Sequence, residues 1–301
     1  MTLNLSLVTD EFAICVTDRR LSAPNGGIVS ERGNKLNAFQ CRDAHGFITY
    51  CGIGRDVNGQ SPNDWISNNS LLPSLPFDEF LKTIKNIGDS RLSPLAAKGY
   101  DTRHTFVIGG FHCGVPVLAM ISNYESIGEE GARAAADPAL SISFAVANQT
   151  VQKPVIVLAT GDISTKQKHR IVQISRLVKH STPPRVLITK MTKLIRDVAY
   201  RADRNGTVGT SINSVIVSRH GTTEMGGNVV GGSTLLEPPN MISPGMMVRD
   251  VYIDLGERKG GSRYSRVHRK ALIRERRCRN CGTPVPEGYH QCGKCDTPVP
   301  I

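Results

Sequence analysis

No stretch of the 301-residue sequence holds the roughly 18 uninterrupted apolar residues that a membrane-crossing helix needs. The opening segment, Met1-Thr-Leu-Asn-Leu-Ser-Leu-Val-Thr-Asp10, lacks the basic start and continuous apolar core of a secretory leader, so the chain is expected to be cytoplasmic. The eight histidines form no His-Glu-x-x-His or other paired spacing, which removes the helical zinc-hydrolase pattern. The glycine pairs at 226–227 and 231–232 have no Gly-Lys-Ser/Thr beside them, and are read as a loop. Gly52-Ile-Gly54 meets Val57 where a dinucleotide fingerprint requires a third glycine. Acidic residues are the minority, 26 against 37 Lys and Arg.

What remains is a globular composition, 39% apolar and 21% charged, long enough for one large domain or two smaller ones. The basic surplus is local. Residues 256–279 carry ten Lys and Arg against Glu257 and Glu275, a net +8, whereas residues 1–255 carry only +4. The eight cysteines divide in the same way. Cys15, Cys41, Cys51 and Cys113 are scattered and read as small core residues, while Cys278, Cys281, Cys292 and Cys295 fall close together, as metal ligands do.

Alternation over 3–8 and a β-rich run at 12–17 predict two strands joined by Thr9-Asp10-Glu11. Strands are also predicted at 35–40, 46–51, 154–158, 211–218 and 247–255, and a hairpin over 104–120 that turns at Cys113-Gly114. Helical spacing marks 77–87 (Phe77, Phe80, Leu81, Ile84, Ile87), 164–179 and 185–203. Grouped strands around grouped helices predict an α+β fold with packed antiparallel sheets. The expected organisation is a domain over 1–225, a Gly/Pro-rich extension with one further strand over 226–255, a basic linker over 256–277 and a small unit over 278–301.

Four features near the start share a chemistry. Thr2 follows a removable Met1, Asp18 ends the second strand, Lys35 opens the third, and Cys51-Gly52-Ile53-Gly54-Arg55-Asp56 leaves the fourth. A threonine hydroxyl needs a base to become a nucleophile, and a free α-amine, with a pKa of about 7.7–8.0, can serve. A neighbouring lysine ammonium lowers that pKa by like-charge repulsion, with Asp18 holding Lys35 charged and oriented. The Gly52 N–H is a candidate donor to a developing oxyanion. Each residue alone has an ordinary explanation as turn former or solvated strand residue; the ordered set points to acyl transfer.

On these residues the sequence resembles the proteasome β-subunit family of N-terminal-nucleophile hydrolases, over roughly residues 2–218. Thr2, Asp18 with Arg20, Lys35 and Gly52-Ile-Gly54-Arg-Asp56 match that family's motifs, and Phe106-Val-Ile-Gly-Gly110 with Gly114-Val-Pro-Val-Leu118 is similar to its central hairpin. The resemblance implies a four-layer αββα sandwich, a threonine peptidase or amidase, and assembly into homo-oligomers, including rings. The family's later Ser-Gly and Asp motifs have their nearest matches at Thr160-Gly161-Asp162 and Asp203-Arg-Asn-Gly206, with Thr207 and Ser211 as hydroxyl substitutes. The expected catalytic set is therefore Thr2, Asp18, Lys35, Gly52 and Asp203.

Cys278-Arg-Asn-Cys281 and Cys292-Gly-Lys-Cys295 are two C-x-x-C knuckles separated by ten residues, a spacing that resembles a zinc ribbon. A segment this short lacks an apolar core, so structural Zn²⁺ is expected to supply most of its folding energy. Cys41 with His45 is a weaker metal pair. Two readings of the basic segment stand: a solvated tether or docking arm, or a surface for nucleic acid or another acidic partner. Only Tyr264 interrupts it as a stacking residue, which favours the tether. The rival to a hydrolase is a catalytically inactive scaffold of the same fold, whose basic arm and ribbon bind nucleic acid or a protein.

Overall fold

Thr9 closes the first hairpin. Its hydroxyl accepts from Phe12 N at 2.9 Å and Glu11 N at 3.2 Å and donates to Phe12 O at 2.9 Å, reversing the chain between β1 (Leu3–Thr9) and β2 (Phe12–Asp18). The computed structural model describes residues 3–23, 27–30, 33–69, 71–127, 135–146, 155–161, 165–179, 182–201, 208–221, 223–229, 241–242, 247–257, 263–272, 276–277 and 284–285. After the short β3 (Leu21–Ser22) and β4 (Ile28–Ser30) come β5 (Leu36–Gln40) and β6 (Ala44–Cys51). Helices α1 (Pro62–Ser67) and α2 (Phe77–Ala96) follow, then β7 (Thr105–His112), β8 (Val115–Ser122), β9 (Ser141–Val146) and β10 (Val155–Gly161). Helices α3 (Thr165–Lys179) and α4 (Pro184–Arg201) precede β11 (Ile212–Ser218), β12 (Thr223–Val229) and β13 (Met241–Ile242). The last strands are β14 (Met247–Glu257), β15 (Arg263–Leu272), β16 (Arg276–Arg277) and β17 (Pro284–Val285).

One sheet has the order β10-β1-β2-β11-β12-β15-β14, the other β13-β5-β6-β7-β8-β9. Three apolar cores show how they stack. Val8, Ala13 and Val215 of the first sheet meet Ala38, Phe47, Val107 and Leu118 of the second. Leu3, Leu5, Leu7, Ile14 and Val16 face the opposite way, onto Ile174, Val178, Leu187, Met191, Leu194, Ile195 and Val198 of α3 and α4. Phe39, Ile48, Tyr50 and Phe106 of the second sheet pack on Trp65 of α1 and Phe77, Phe80, Leu81 and Ile84 of α2. The order of layers is helix, sheet, sheet, helix, in a mixed α+β fold. Both faces of β1 are therefore buried, including its polar positions Asn4 and Ser6. Alternation in that strand separates an apolar core from a polar interior, not a core from water.

Helix α2 runs nine residues past the expected 77–87, because Leu92 and Leu95 continue its buried face. Gly88 lets it lie close: a Cβ there would stand 2.5 Å from Leu140 Cδ1. Asn58-Gly59 and Ser61-Pro62 make a turn and a helix start, Ser61 capping α1 in a reciprocal box with Asp64. Strands β9 and β12 were not expected. Over 263–272 the segment expected as a basic linker runs as β15, paired with β12 and β14. The register sets Lys270 opposite Asp250 and Glu224, Arg266 opposite Asp254, and Arg263 opposite Glu257. No described helix is long and apolar enough to cross a membrane.

The helix-covered face of the second sheet encloses a histidine. His104 has no exposed surface, and its ring lies 4.6 Å from Phe106, 5.8 Å from Tyr50 and 5.9 Å from Trp65 between centroids. Neither ring nitrogen has a hydrogen-bond partner among the described residues. Burial pushes its pKa down to about 3, so the folded protein holds it neutral.

Two outcomes follow from this packing. Phe80, stacked on Phe39 at 4.7 Å with no exposed surface, should cost about 3–5 kcal/mol when replaced by alanine. Tyr200→Ala, at a site 66% exposed, should stay within about 0.5 kcal/mol, both read from denaturant midpoints. Below the unfolded-state pKa of about 6.5 only the unfolded chain protonates residue 104, so acid erodes stability from there down towards pH 3. His104→Phe should remove that component, the two stability curves converging or crossing as pH falls by at most about 1.4 kcal/mol per unit. Parallel curves would show that the buried ring is not the acid-sensitive group.

Candidate active site

β2 lies between β1 and β11, and it delivers Asp18 to the end of the sheet. Lys35 immediately precedes β5 in the facing sheet. The two meet there: Lys35 Nζ donates to Asp18 Oδ1 at 3.0 Å, with side-chain exposures of 2% and 0%. The same Oδ1 accepts from Arg20 N at 2.9 Å and Gly209 N at 3.3 Å, and Oδ2 accepts from Leu3 N at 2.9 Å. A buried charge pair is tolerated only when further hydrogen bonds satisfy it, and here three backbone amides converge on the carboxylate. Burial pulls the Lys35 pKa below its ordinary value, and the charge and hydrogen bond of Asp18 oppose that shift.

Arg19 holds the pair in place. Its Nε donates to Gly33 O at 3.2 Å, Gly33 N donates back to Arg19 O at 2.8 Å, and Arg19 N donates to Ser211 O at 2.9 Å. The segment carrying Lys35, the end of β2 and the approach to β11 are thus tied to one another. The bond from Leu3 N matters most for chemistry. The amide of Leu3 is the group to which Thr2 is covalently joined, so the Asp18 carboxylate anchors the residue next to Thr2. Thr2 itself lies outside the described residues, as do Asp203 and Thr207.

Gly52 follows β6 with φ +109°, and a Cβ would stand 2.2 Å from Arg103 O, so this position excludes a side chain on both counts. Its neighbour Cys51 is buried, with its Sγ 3.5 Å from Tyr124 Oη. Burial pushes the Cys51 pKa up to about 11, so it is a protonated thiol at neutral pH. Asp56 locks the rest of the loop. Oδ1 accepts from Asn58 N at 2.8 Å and Gln60 N at 2.9 Å, and Oδ2 accepts from Trp65 Nε1 at 3.1 Å and Arg91 Nη1 at 3.2 Å. The aspartate of the Gly-x-Gly-x-Asp motif is therefore a brace between the loop and helices α1 and α2.

The structure brings Asp18 and Lys35 together, and sets Gly52 against Arg103 and His104. Gly209 is not among the expected residues, since it contributes only a backbone N–H, which no residue type announces; Cys51 is the buried small residue expected. Thr160 is buried in β10, paired with Asn4 of β1, and Ser211 contributes its carbonyl to the Arg19 latch. Cys41 and His45 are not brought together: Cys41 Sγ lies 4.0 Å from Asp43 Oδ1, and His45 Nε2 lies 3.1 Å from Ser218 O. Of the scattered cysteines, Cys113 is exposed in a turn and is not the small core residue expected. Cys278, Cys281, Cys292 and Cys295 lie outside the described residues.

No protein-family model and no curated protein matches the chain. Among solved structures it is similar to an Anbu (Gly-1) mutant from Hyphomicrobium sp. strain MC1, with TM-score 0.46 and 14% identity, over 72% of this chain and 82% of that one. It is also similar to Anbu (ancestral β-subunit) from Yersinia bercovieri, with TM-score 0.46 and 17% identity, over 71% of this chain and 80% of that one.

Proposed function

We propose that the protein is a threonine-type N-terminal-nucleophile hydrolase acting on peptide or amide bonds, with Thr2 as nucleophile after removal of Met1. The observation that supports this reading is the buried Asp18–Lys35 pair hydrogen-bonded to the amide of Leu3. In this mechanism the Thr2 hydroxyl attacks the substrate carbonyl as its proton passes to the Thr2 α-amine. The Lys35 cation keeps that amine close to neutral and favours the charge that develops on the attacked oxygen. The Gly52 N–H donates to the same oxygen, and Asp203 completes the set at the position of the family's second aspartate. The α-ammonium then protonates the leaving amine, giving an ester on Thr2. Water, deprotonated by the same amine, cleaves the ester and regenerates the hydroxyl. The reading extends to a homo-oligomeric assembly that encloses the site.

A structural zinc ion in the C-terminal segment belongs to the same proposal. Four cysteine thiolates suit a closed tetrahedral Zn²⁺ site. Arg276–Arg277 pairs antiparallel with Pro284–Val285, two pairs that flank Cys278 and Cys281 in the sequence, which supports a ribbon.

Intact mass should show loss of Met1, and a β-lactone should add covalently to Thr2 in the wild type and not in Thr2→Ala. Asp18→Asn and Lys35→Met should slow that adduct by about 10²–10⁴-fold. Each also removes one member of a buried pair, at about 3–5 kcal/mol, so rates are compared at temperatures where both variants remain folded. Retention of Met1, or equal labelling of Thr2→Ala, would refute the mechanism and favour the inactive scaffold. For the ribbon, replacing the four cysteines 278, 281, 292 and 295 by serine should abolish one tightly held zinc equivalent in elemental analysis; unchanged zinc content would refute it.

A further inference from the structure

A second cluster of ligating side chains lies at the other end of β6. Gly52 follows that strand, whereas Asp43 precedes it, so by strand rise the two are about 25–30 Å apart. The β5–β6 turn meets the β7–β8 turn there because β6 and β7 pair with Ala44 opposite His112. Cys113 N donates to Asp43 O at 2.8 Å, locking the two turns together. Asp43 Oδ2 lies 3.1 Å from His112 Nε2, and a carboxylate oxygen, an imidazole nitrogen and the Cys113 sulfur all fall within 4.8 Å of one another.

We propose that Asp43, His112 and Cys113 form a divalent-metal site suited to Zn²⁺, separate from the candidate active site and from the C-terminal cysteines. Zinc bonds of about 2.0–2.3 Å place tetrahedral ligand atoms about 3.3–3.7 Å apart, so a small closure of this cluster is enough to bind. The carboxylate is already oriented. Oδ1 accepts from Phe77 N at 2.7 Å, with Cys41 Sγ at 4.0 Å, which turns Oδ2 towards His112. The imidazole in turn lies 5.0 Å from the Phe77 ring between centroids.

Cys113 supplies an independent reason. It has φ +50° and is followed by Gly114 at +77°, a two-residue turn whose first position favours asparagine, aspartate or glycine. It has the only positive φ of any non-glycine residue among those described. Ligation through sulfur gives that residue a use at this place. Thiolate, imidazole and carboxylate together make a borderline-soft donor set, which suits zinc over magnesium or calcium. On binding, the ion replaces the thiol proton and any proton shared by Asp43 and His112, both released to solvent. Three protein ligands leave a fourth position for water, on the side where Cys113 is exposed.

The test uses the full chain. Iodoacetamide labelling of Cys113, followed by peptide mass spectrometry, should slow at least tenfold with micromolar Zn²⁺, and His112→Ala should remove that protection. In a second measurement, with cysteines 278, 281, 292 and 295 replaced by serine, Co²⁺ should give a thiolate-to-cobalt absorption band that is lost in Cys113→Ser. Matching denaturation midpoints for His112→Ala and wild type without metal would assign the effect to ligation. Equal labelling rates with and without zinc, or protection that survives in His112→Ala, would overturn the site.

Discussion

An ammonium and a carboxylate out of contact with water constrain everything around them. Asp18 and Lys35 are both buried, and a buried ion pair persists only if its remaining hydrogen-bonding capacity is met. The amides of Leu3, Arg20 and Gly209 meet it, and those three residues belong to the start of β1, the end of β2 and the approach to β11. The Arg19–Gly33 latch adds the segment before β5. Four stretches distant in sequence thus arrive at one point because one charge requires them there.

The same economy shapes the two ends of β6. At one end the Cys51 thiol meets Tyr124, while Asp56 braces the glycine loop against two helices. At the other, Asp43 divides its oxygens between the first amide of α2 and His112. A strand covered on both faces exchanges groups with solvent only at its ends. Both candidate sites are accordingly built from turn residues and strand termini, on a rigid sheet. The cysteines differ for the same reason: burial keeps the Cys51 thiol protonated, whereas Cys113 stands exposed at a hairpin tip.

The elements that were legible in the sequence share a property: their signal lies within a few residues of themselves. The Thr9 turn, the Cys113-Gly114 hairpin and the apolar stripes of α3 and α4 are local patterns, and the structure reproduces them. β9 does alternate, Ser-Ile-Ser-Phe-Ala-Val, whereas β12 carries no such pattern. β12 is glycine-rich, and its place comes from lying between β11 and β15. β15 reads as a charge run in the sequence, and its place as a strand comes from pairing with β12 and β14. The extension of α2 beyond residue 87 buries Leu92 and Leu95, and Gly88 lets the helix lie close to Leu140 and Phe106 of the sheet beneath it.

For the candidate site, the side-chain identities of Asp18, Lys35 and Gly52 and their order along the chain were readable from the amino acids alone, since each is a residue type that the chemistry requires. Their convergence was not. Periodicity places residues on faces but does not say which strand ends meet, and the decisive donors to Asp18 are backbone amides that every residue except proline possesses. The Gly209 amide meets Asp18 only in the folded chain, and the Asp43–His112–Cys113 cluster forms only when β6 pairs with β7 and brings two turns together. Local sequence specified the groups; packing of the two sheets selected which of them touch.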